Sequence, residues 1–301
     1  MISTDTWQGK TKISKVSYNL SLFFIRNFGV IPAYIIGLVL VPFFLVLHHR
    51  ETKNTYRYFK RNQQFGTLKS VSSVIKNHVL FAFVIADKFA VLSGYKKGFT
   101  LTTVNQKNFD DVAYNKNSSG LLVQSHVGNS EIVAFFLKPE SKTIHSLVYG
   151  FEAKHIQKHR TELLAKQNTK LIPVVDPYSH FISIYQAVDN HDLIGVSGDR
   201  TYEGSTNIEC EFLNNKALFP LNPFQIATKL NLPVIVLFTI RKGYKKYTTY
   251  IYRIEVDGDN LPLKEKSVLL LKEYVKTLEM VVKKYPLQWF NYYDFWNYRN
   301  F

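Results

Sequence analysis

The hydropathy pattern begins with an unbroken apolar block. Residues 28–47 read FGVIPAYIIGLVLVPFFLVL, twenty positions without a charge. That length matches the hydrocarbon core of a bilayer, and the block is apolar on every face, unlike the one-sided helix of a soluble domain. A secretory signal peptide fits poorly, because the run is too long and no small-residue cleavage site precedes His48 and His49. Pro32 and Pro42 predict kinks, so a spanning helix and an inserted hairpin over residues 18–47 both fit. Residues 50–92 mix charged and apolar positions with Gly66 as the one breaker, which predicts helix. Lys76, His78, Asp87 and Lys88 interrupt its apolar stretch, so this is a buried or membrane-apposed helix and not a second span.

From residue 94 the pattern changes. Short β-type runs (GLLVQSH, TIHSLVYG, TKLIPVV, DLIGVSGD, LPVIVLFTI, YTTYIYRIEV) alternate with helical ones (EIVAFFLK, EAKHIQKHRTELLAKQ, SHFISIYQAVDN, PFQIATKL). Such alternation predicts an α/β fold, a mixed β-sheet flanked by helices. The hairpin-like segment Arg241–Tyr247 predicts an antiparallel edge, and SVLLLKEYVKTLEMVVKKY reads as an amphipathic helix. The organisation expected is a membrane anchor over 1–49 and a cytoplasmic domain over 50–301.

Charge adds a partner class. The formal net charge is +15, which favours anionic lipid, acidic protein or nucleic acid, but no nucleic-acid-binding motif is present. His48, His49, Arg50, Lys53, Arg57, Lys60 and Arg61 follow the apolar block and mark a cytoplasmic side. Lys10, Lys12 and Lys15 on the other flank suit a hairpin. The single cysteine, Cys210, excludes an internal disulfide and zinc ribbons and reads as non-functional. His155 and His159 share a helix face among cations and polar residues, the signature of a solvated basic face and not of a metal site. No GxSxG elbow, P-loop or GxGxxG occurs. The closing aromatics Trp289, Phe290, Tyr292, Tyr293, Phe295, Trp296 and Tyr298 fit either a core or a membrane-interface belt.

The most informative stretch is GLLVQSH followed by VGNSEIVAFFL. It predicts a strand ending at His126, a turn at Gly128, and a helix capped by Asn129 or Ser130 with Glu131 in its first turn. Glu131 could then reach back to one imidazole nitrogen, leaving the other to take a proton from a hydroxyl. Amides at that helix start would favour nearby negative charge.

His126 and Glu131 match the HX4(D/E) signature of the lysophospholipid acyltransferase superfamily, and SHVGNSEI resembles the SHFGNWE-type block of the bacterial late acyltransferases of lipid A synthesis. The resemblance continues through GDRTYEGS, ALFPLNPFQIATKLNLPVIVLF and YPLQWFNYYDFW. It implies a glycerol-3-phosphate acyltransferase-like αβ fold, with His126 as general base and Glu131 as its orienting carboxylate. Asp199 and Arg200, with Asn129 and Ser130, would line the substrate site, and Arg160 is a candidate for the family's further arginine. Ser130 stands where many relatives have tryptophan, and Asn222 where glycine is expected before Pro223. The resemblance further implies direct transfer without metal or cofactor, at the bacterial inner membrane, with acyl-acyl carrier protein or acyl-CoA as donor. The acceptor implied is a lipid A-type precursor, with an aminolipid or lysophospholipid as alternatives. A non-catalytic basic membrane protein is the rival of a different class. Acyl-chain length, acceptor position and oligomeric state stay open.

Overall fold

A computed structural model describes residues 23–137, 139, 141–149, 154–174, 179–202, 204–257 and 260–296, and within residues 149–159 and at 179 the backbone alone. Its centre is a seven-stranded mixed sheet of β1 (Thr100–Val104), β2 (Gly120–Gly128), β3 (Ile144–Tyr149), β4 (Thr169–Val174), β5 (Leu193–Ser197), β8 (Val234–Gly243) and β9 (Lys246–Ile254). The spatial order is β1-β9-β8-β2-β5-β3-β4. Strands β2, β3, β4, β5 and β8 run parallel, while β9 returns antiparallel to β8 and pairs in parallel with β1. The expected hairpin therefore forms, but β1, and not β9, is the edge. The remaining pair, β6 (Asn207–Phe212) and β7 (Asn215–Pro220), is a separate antiparallel hairpin. It turns through Leu213 and Asn214, both at positive φ, the primed-turn geometry that matches strand twist.

The strands alternate between two buried layers, which is why the central ones read as continuous apolar runs. Leu121, Val123, Val196, Val236 and Phe238 join one cluster, with the helix Leu263–Lys284 and the C-terminal aromatics. Leu122, Leu193, Ile235 and Leu237 join another, with Phe109, Val112, Val133 and Leu137. Trp289, Phe290, Phe295 and Trp296 are buried, so for these residues the core reading holds. Tyr298 lies outside the described residues, as do the side chains of His155 and His159. Cys210 is a buried free thiol.

Helices α1 (Ile31–Leu47), α2 (His49–Arg57) and α3 (Thr67–Leu92) precede the sheet. Pro32 sits in the first turn of α1, where its missing N–H costs nothing, so only Pro42 interrupts the helix. After α1 the chain bends by 91° into α2, and among the described residues no single helix is long and apolar enough to cross a membrane. The helix expected over 50–92 is broken. A π-helical turn at Tyr58–Asn62 gives way to Gln64 at positive φ, and α3 starts afresh after Gly66. The helix expected after Glu131 is one 3-10 turn, Ile132–Phe135. Its apolar residues are used to fill the sheet layer, and no N-terminal amide site of a full helix forms there.

α3 is tied to the body and to α1 by buried polar groups. Asp87 accepts hydrogen bonds from the Tyr34 and Tyr247 hydroxyls and pairs with Arg241 Nε at 3.1 Å. Arg241 Nη2 also donates to the Tyr34 hydroxyl at 3.1 Å. Removing one partner of a buried ion pair costs about 3–5 kcal/mol, because the other charge stays desolvated. Arg241→Met is therefore expected to destabilise the protein by about that amount, read as an earlier chemical-denaturation midpoint in detergent.

Candidate active site

The site lies at the carboxyl ends of β2 and β5, the place where open α/β sheets bind ligands. These two strands are parallel neighbours in register, Gln124 opposite Ser197. Two residues further along each strand direction come His126 and Asp199. The period-two alternation of side chains puts both on the same face as that matched pair. The result is a close contact: His126 Nδ1 lies 2.8 Å from Asp199 Oδ1, and the His126 backbone N–H donates to Asp199 Oδ2 at 2.8 Å. Ser197 Oγ (3.1 Å) and Trp289 Nε1 (3.3 Å) donate to the same carboxylate. Gly198 is required beside it, since a Cβ there would stand 2.6 Å from the Tyr274 ring and 2.7 Å from Val123.

Burial by itself would raise the Asp199 pKa. The facing His126 with its hydrogen bond, and then Arg200, outweigh it and hold the carboxyl well below the usual range. Asp199 is thus an ionised acceptor, and Nδ1 of His126 is the protonated nitrogen. For His126 itself, burial and then Arg200 lower the pKa more than Asp199 raises it, so the ring is neutral near pH 7. Its side chain is 37% exposed against 1% for Asp199. The imidazole therefore faces outward on a buried, anionic support.

Nε2 of His126 is met by Arg200, whose Nε donates to it at 3.4 Å. Arg200 is in turn held by the C-terminal segment: Nη1 donates to Asn291 Oδ1, Nη2 to the Phe290 carbonyl at 3.3 Å, and the guanidinium lies over the Tyr293 ring. The same segment is fastened to β2, where Phe290 N–H donates to the His126 carbonyl at 2.9 Å. Neither Trp289, read from the sequence as a core or interface aromatic, nor Asn291 is expected at the site from the sequence. Their only signal there is membership of the aromatic tail, which does not show that the tail folds back onto β2.

Glu131 does not hydrogen-bond His126. Gly128, at φ +66° and packed so closely that a Cβ would lie 2.0 Å from the Thr239 carbonyl oxygen, turns the chain away from the strand. Asn129 Oδ1 then accepts the Ile132 N–H at 3.3 Å. This directs Glu131 towards α3 and the helix Lys154–Ala165, where Oε1 takes Lys88 Nζ at 2.6 Å and Arg160 Nη2 at 3.0 Å. Burial raises the Glu131 pKa, but Arg160 and Lys88 outweigh it and the net shift is downward. The carboxylate hydrogen-bonded to the His126 ring is thus Asp199, expected in the substrate lining, and not Glu131, which meets Lys88 and Arg160 instead. Asn129, expected in the substrate lining, is buried and braces the turn, with Nδ2 near the Val84 carbonyl and the Tyr247 hydroxyl.

The sequence profile of the bacterial lipid A biosynthesis acyltransferases matches residues 79–296, more than two thirds of the chain. The chain belongs to this family. It is an acyltransferase of bacterial lipid biosynthesis. A search of curated proteins gives no match. The matched region takes in the strand–turn block 120–131, the Gly198–Arg200 triplet and the Trp289–Asn291 segment, and so spans every group that surrounds His126. Within this acyltransferase a narrow cavity lies beside Glu131, lined by Ser130, Arg160, Gln124 and apolar side chains including Leu122, Val133 and Leu137. Its volume of about 50 Å³ admits a few waters and no fatty chain. Acyl-chain entry along this path would require its walls to move.

Proposed function

We propose that the protein transfers a fatty acyl group from a thioester donor, acyl-acyl carrier protein or acyl-CoA, to a hydroxyl of a lipid A-type precursor. The reaction would take place at the cytoplasmic face of the bacterial inner membrane. Residues 1–49 serve as the anchor and 50–301 as the transferase domain. The observation that carries the reading is the His126–Asp199 pair, a neutral imidazole on an ionised carboxylate at the end of a parallel strand, in a chain of this acyltransferase family.

In the proposed step Nε2 of His126 takes the proton of the acceptor hydroxyl as its oxygen attacks the thioester carbon. The carbon–sulfur bond then breaks, and the leaving thiolate takes the proton back from the imidazolium. Asp199 holds the tautomer and stabilises the imidazolium. Arg200, Lys88 and Arg160 supply positive charge for the oxyanion or for an anionic headgroup, with Glu131 holding the last two in place and Ser130 beside it in the cavity lining. Arg200 shares Nε2 with the hydroxyl, so its 3.4 Å contact is the one an acceptor displaces. The +15 charge suits an anionic donor, which an acidic carrier protein and the phosphate-bearing CoA both are.

Lipid mass spectrometry on the native host tests this reading, comparing wild type, a deletion and the complemented deletion. Loss of one acyl chain from the lipid A precursor in the deletion, restored on complementation, is the expected result. Loss from an aminolipid or a lysophospholipid instead would move the acceptor to that class. An unchanged lipidome would sink the proposal.

The pH dependence follows from the shift of His126. Its basic form is required and its pKa is lowered, so transfer should persist below pH 6.5 and fail only in more acid solution. Arg200→Gln removes one of the causes of that lowering and should move the acid limb of the pH–rate profile upward. An acid limb unchanged in the variant would show that Arg200 does not act on His126.

A further inference from the structure

Helix α1 is attached along its length to the catalytic body, and this decides how it meets a bilayer. It runs antiparallel to α3: Tyr34 reaches Asp87, Gly37 packs on Ala82 and the Phe44 ring lies near His78. A Cβ on Gly37 would come within 3.0 Å of the Ala82 Cβ, so the two helices are in close backbone approach. α3 is fixed in turn to the site. Lys88 pairs with Glu131, and Asn77 Nδ2 donates to the Leu287 and Trp289 carbonyls.

The 17 residues of α1 measure about 26 Å along the axis, short of a hydrocarbon core of about 30 Å. Were α1 to cross that core, Asp87, Lys88 and Arg241 would be carried to the same depth with the strand ends beside them, at high cost. Cations also flank both ends of α1 on the same folded body. Near its start stands the exposed Arg26, and Tyr95, which touches Gly29, is followed by the exposed Lys96 and Lys97. Beyond the 91° bend at its end come Arg50 and Lys53. The outward stripe Ile31, Ile35, Val39, Phe43 and Val46 is more than half exposed at every position.

We infer that α1 lies along one leaflet beside the catalytic body, its outward stripe in the acyl region and the cations at both ends on headgroups of the same leaflet. This rests on the reading of the N-terminal segment as the membrane anchor. An apolar groove of about 610 Å³ between α1 and α3, walled by Pro32, Ile36, Leu40, Phe81 and Ile85, lies beside this stripe, and Ile36 and Leu40 in its wall are themselves more than half exposed. Its occupant is an acyl chain of that leaflet. The neighbouring face of α3 carries Lys88 to Glu131, so a lipid in the groove lies one helix away from the site.

The full-length protein with Cys210→Ser serves as background for single cysteines, Asn27→Cys and His49→Cys at the two ends of α1 and Lys276→Cys on the body. Each is labelled with a membrane-impermeant maleimide in spheroplasts and in inverted inner-membrane vesicles. The in-plane arrangement requires all three to label in inverted vesicles and none in spheroplasts. Asn27→Cys and His49→Cys labelling from opposite sides would overturn it, as would protection of either end from both sides. A fluorophore on Val39→Cys should be quenched more strongly by spin labels near the lipid carbonyls than by labels at the chain ends, and the reverse order also overturns it. Protein that stays in solution when membranes are sedimented would instead refute the anchor reading itself.

Discussion

His126→Ala is expected to lower acyl transfer by roughly 10²–10⁴-fold, the contribution of a positioned general base, with the fold retained. The side chain is 37% exposed and its ring is not among the core residues, so truncation leaves no large cavity. The main structural consequence falls on Asp199, which loses one donor but keeps the His126 backbone N–H, Ser197 and Trp289. The carboxylate therefore stays satisfied, and thermal unfolding should move little. Turnover measured with purified protein, an acyl thioester and the lipid acceptor checks the first part, and differential scanning calorimetry the second. Undiminished turnover in the alanine variant would remove His126 from the chemistry.

Asp199→Asn should cost as much, for a different reason. The carboxylate accepts the Nδ1 proton and so leaves a lone pair on Nε2. An amide in its place can turn its NH2 towards Nδ1, which stabilises the tautomer protonated on Nε2 and takes the base away from the acceptor. In hydrolases with the same histidine–carboxylate logic this exchange lowers turnover by about 10⁴. Nitrogen NMR of labelled histidine distinguishes the outcome: the variant should show a protonated Nε2, the wild type a protonated Nδ1. Glu131→Gln should leave the wild-type tautomer in place, because Glu131 meets Lys88 and Arg160 and not the imidazole. If the tautomer changes in the Glu131 variant and not in the Asp199 variant, the assignment of roles is wrong.

The same carboxylate couples the site to acid stability. Its folded pKa is depressed, so it stabilises the protein above the ordinary carboxylate pKa, and that contribution is lost as pH falls through the folded value. Asp199→Asn removes this dependence, and the loss of stability on acidification should be shallower in the variant.

Much of this protein is legible in its residues alone. Alternating apolar runs and amphipathic segments mark six of the seven sheet strands and most of the helices of the sheet domain, because burial on both sheet faces forces that pattern; the short, half-exposed edge strand β1 and the separate β6–β7 hairpin carry no such signal. Gly128 after His126 marks a turn, and the order of the His126 block, the Gly198–Arg200 triplet and the aromatic tail carries the family. The apolar block at 28–47 is equally plain. What the sequence leaves undecided is which distant segments become neighbours. Glu131, five residues from His126, is the near carboxylate along the chain, whereas Asp199 is the near one in space. Pairing β2 with β5 in register brings Asp199 to the imidazole, and the turn at Gly128 sends Glu131 to Lys88 and Arg160. The return of Trp289–Asn291 onto β2 and the docking of α1 against α3 are likewise contacts between segments separated by intervening structure, and no local pattern announces either. Local pattern reports which face of an element is buried, but not which partner buries it; strand order and helix docking set that, and with it the geometry around His126.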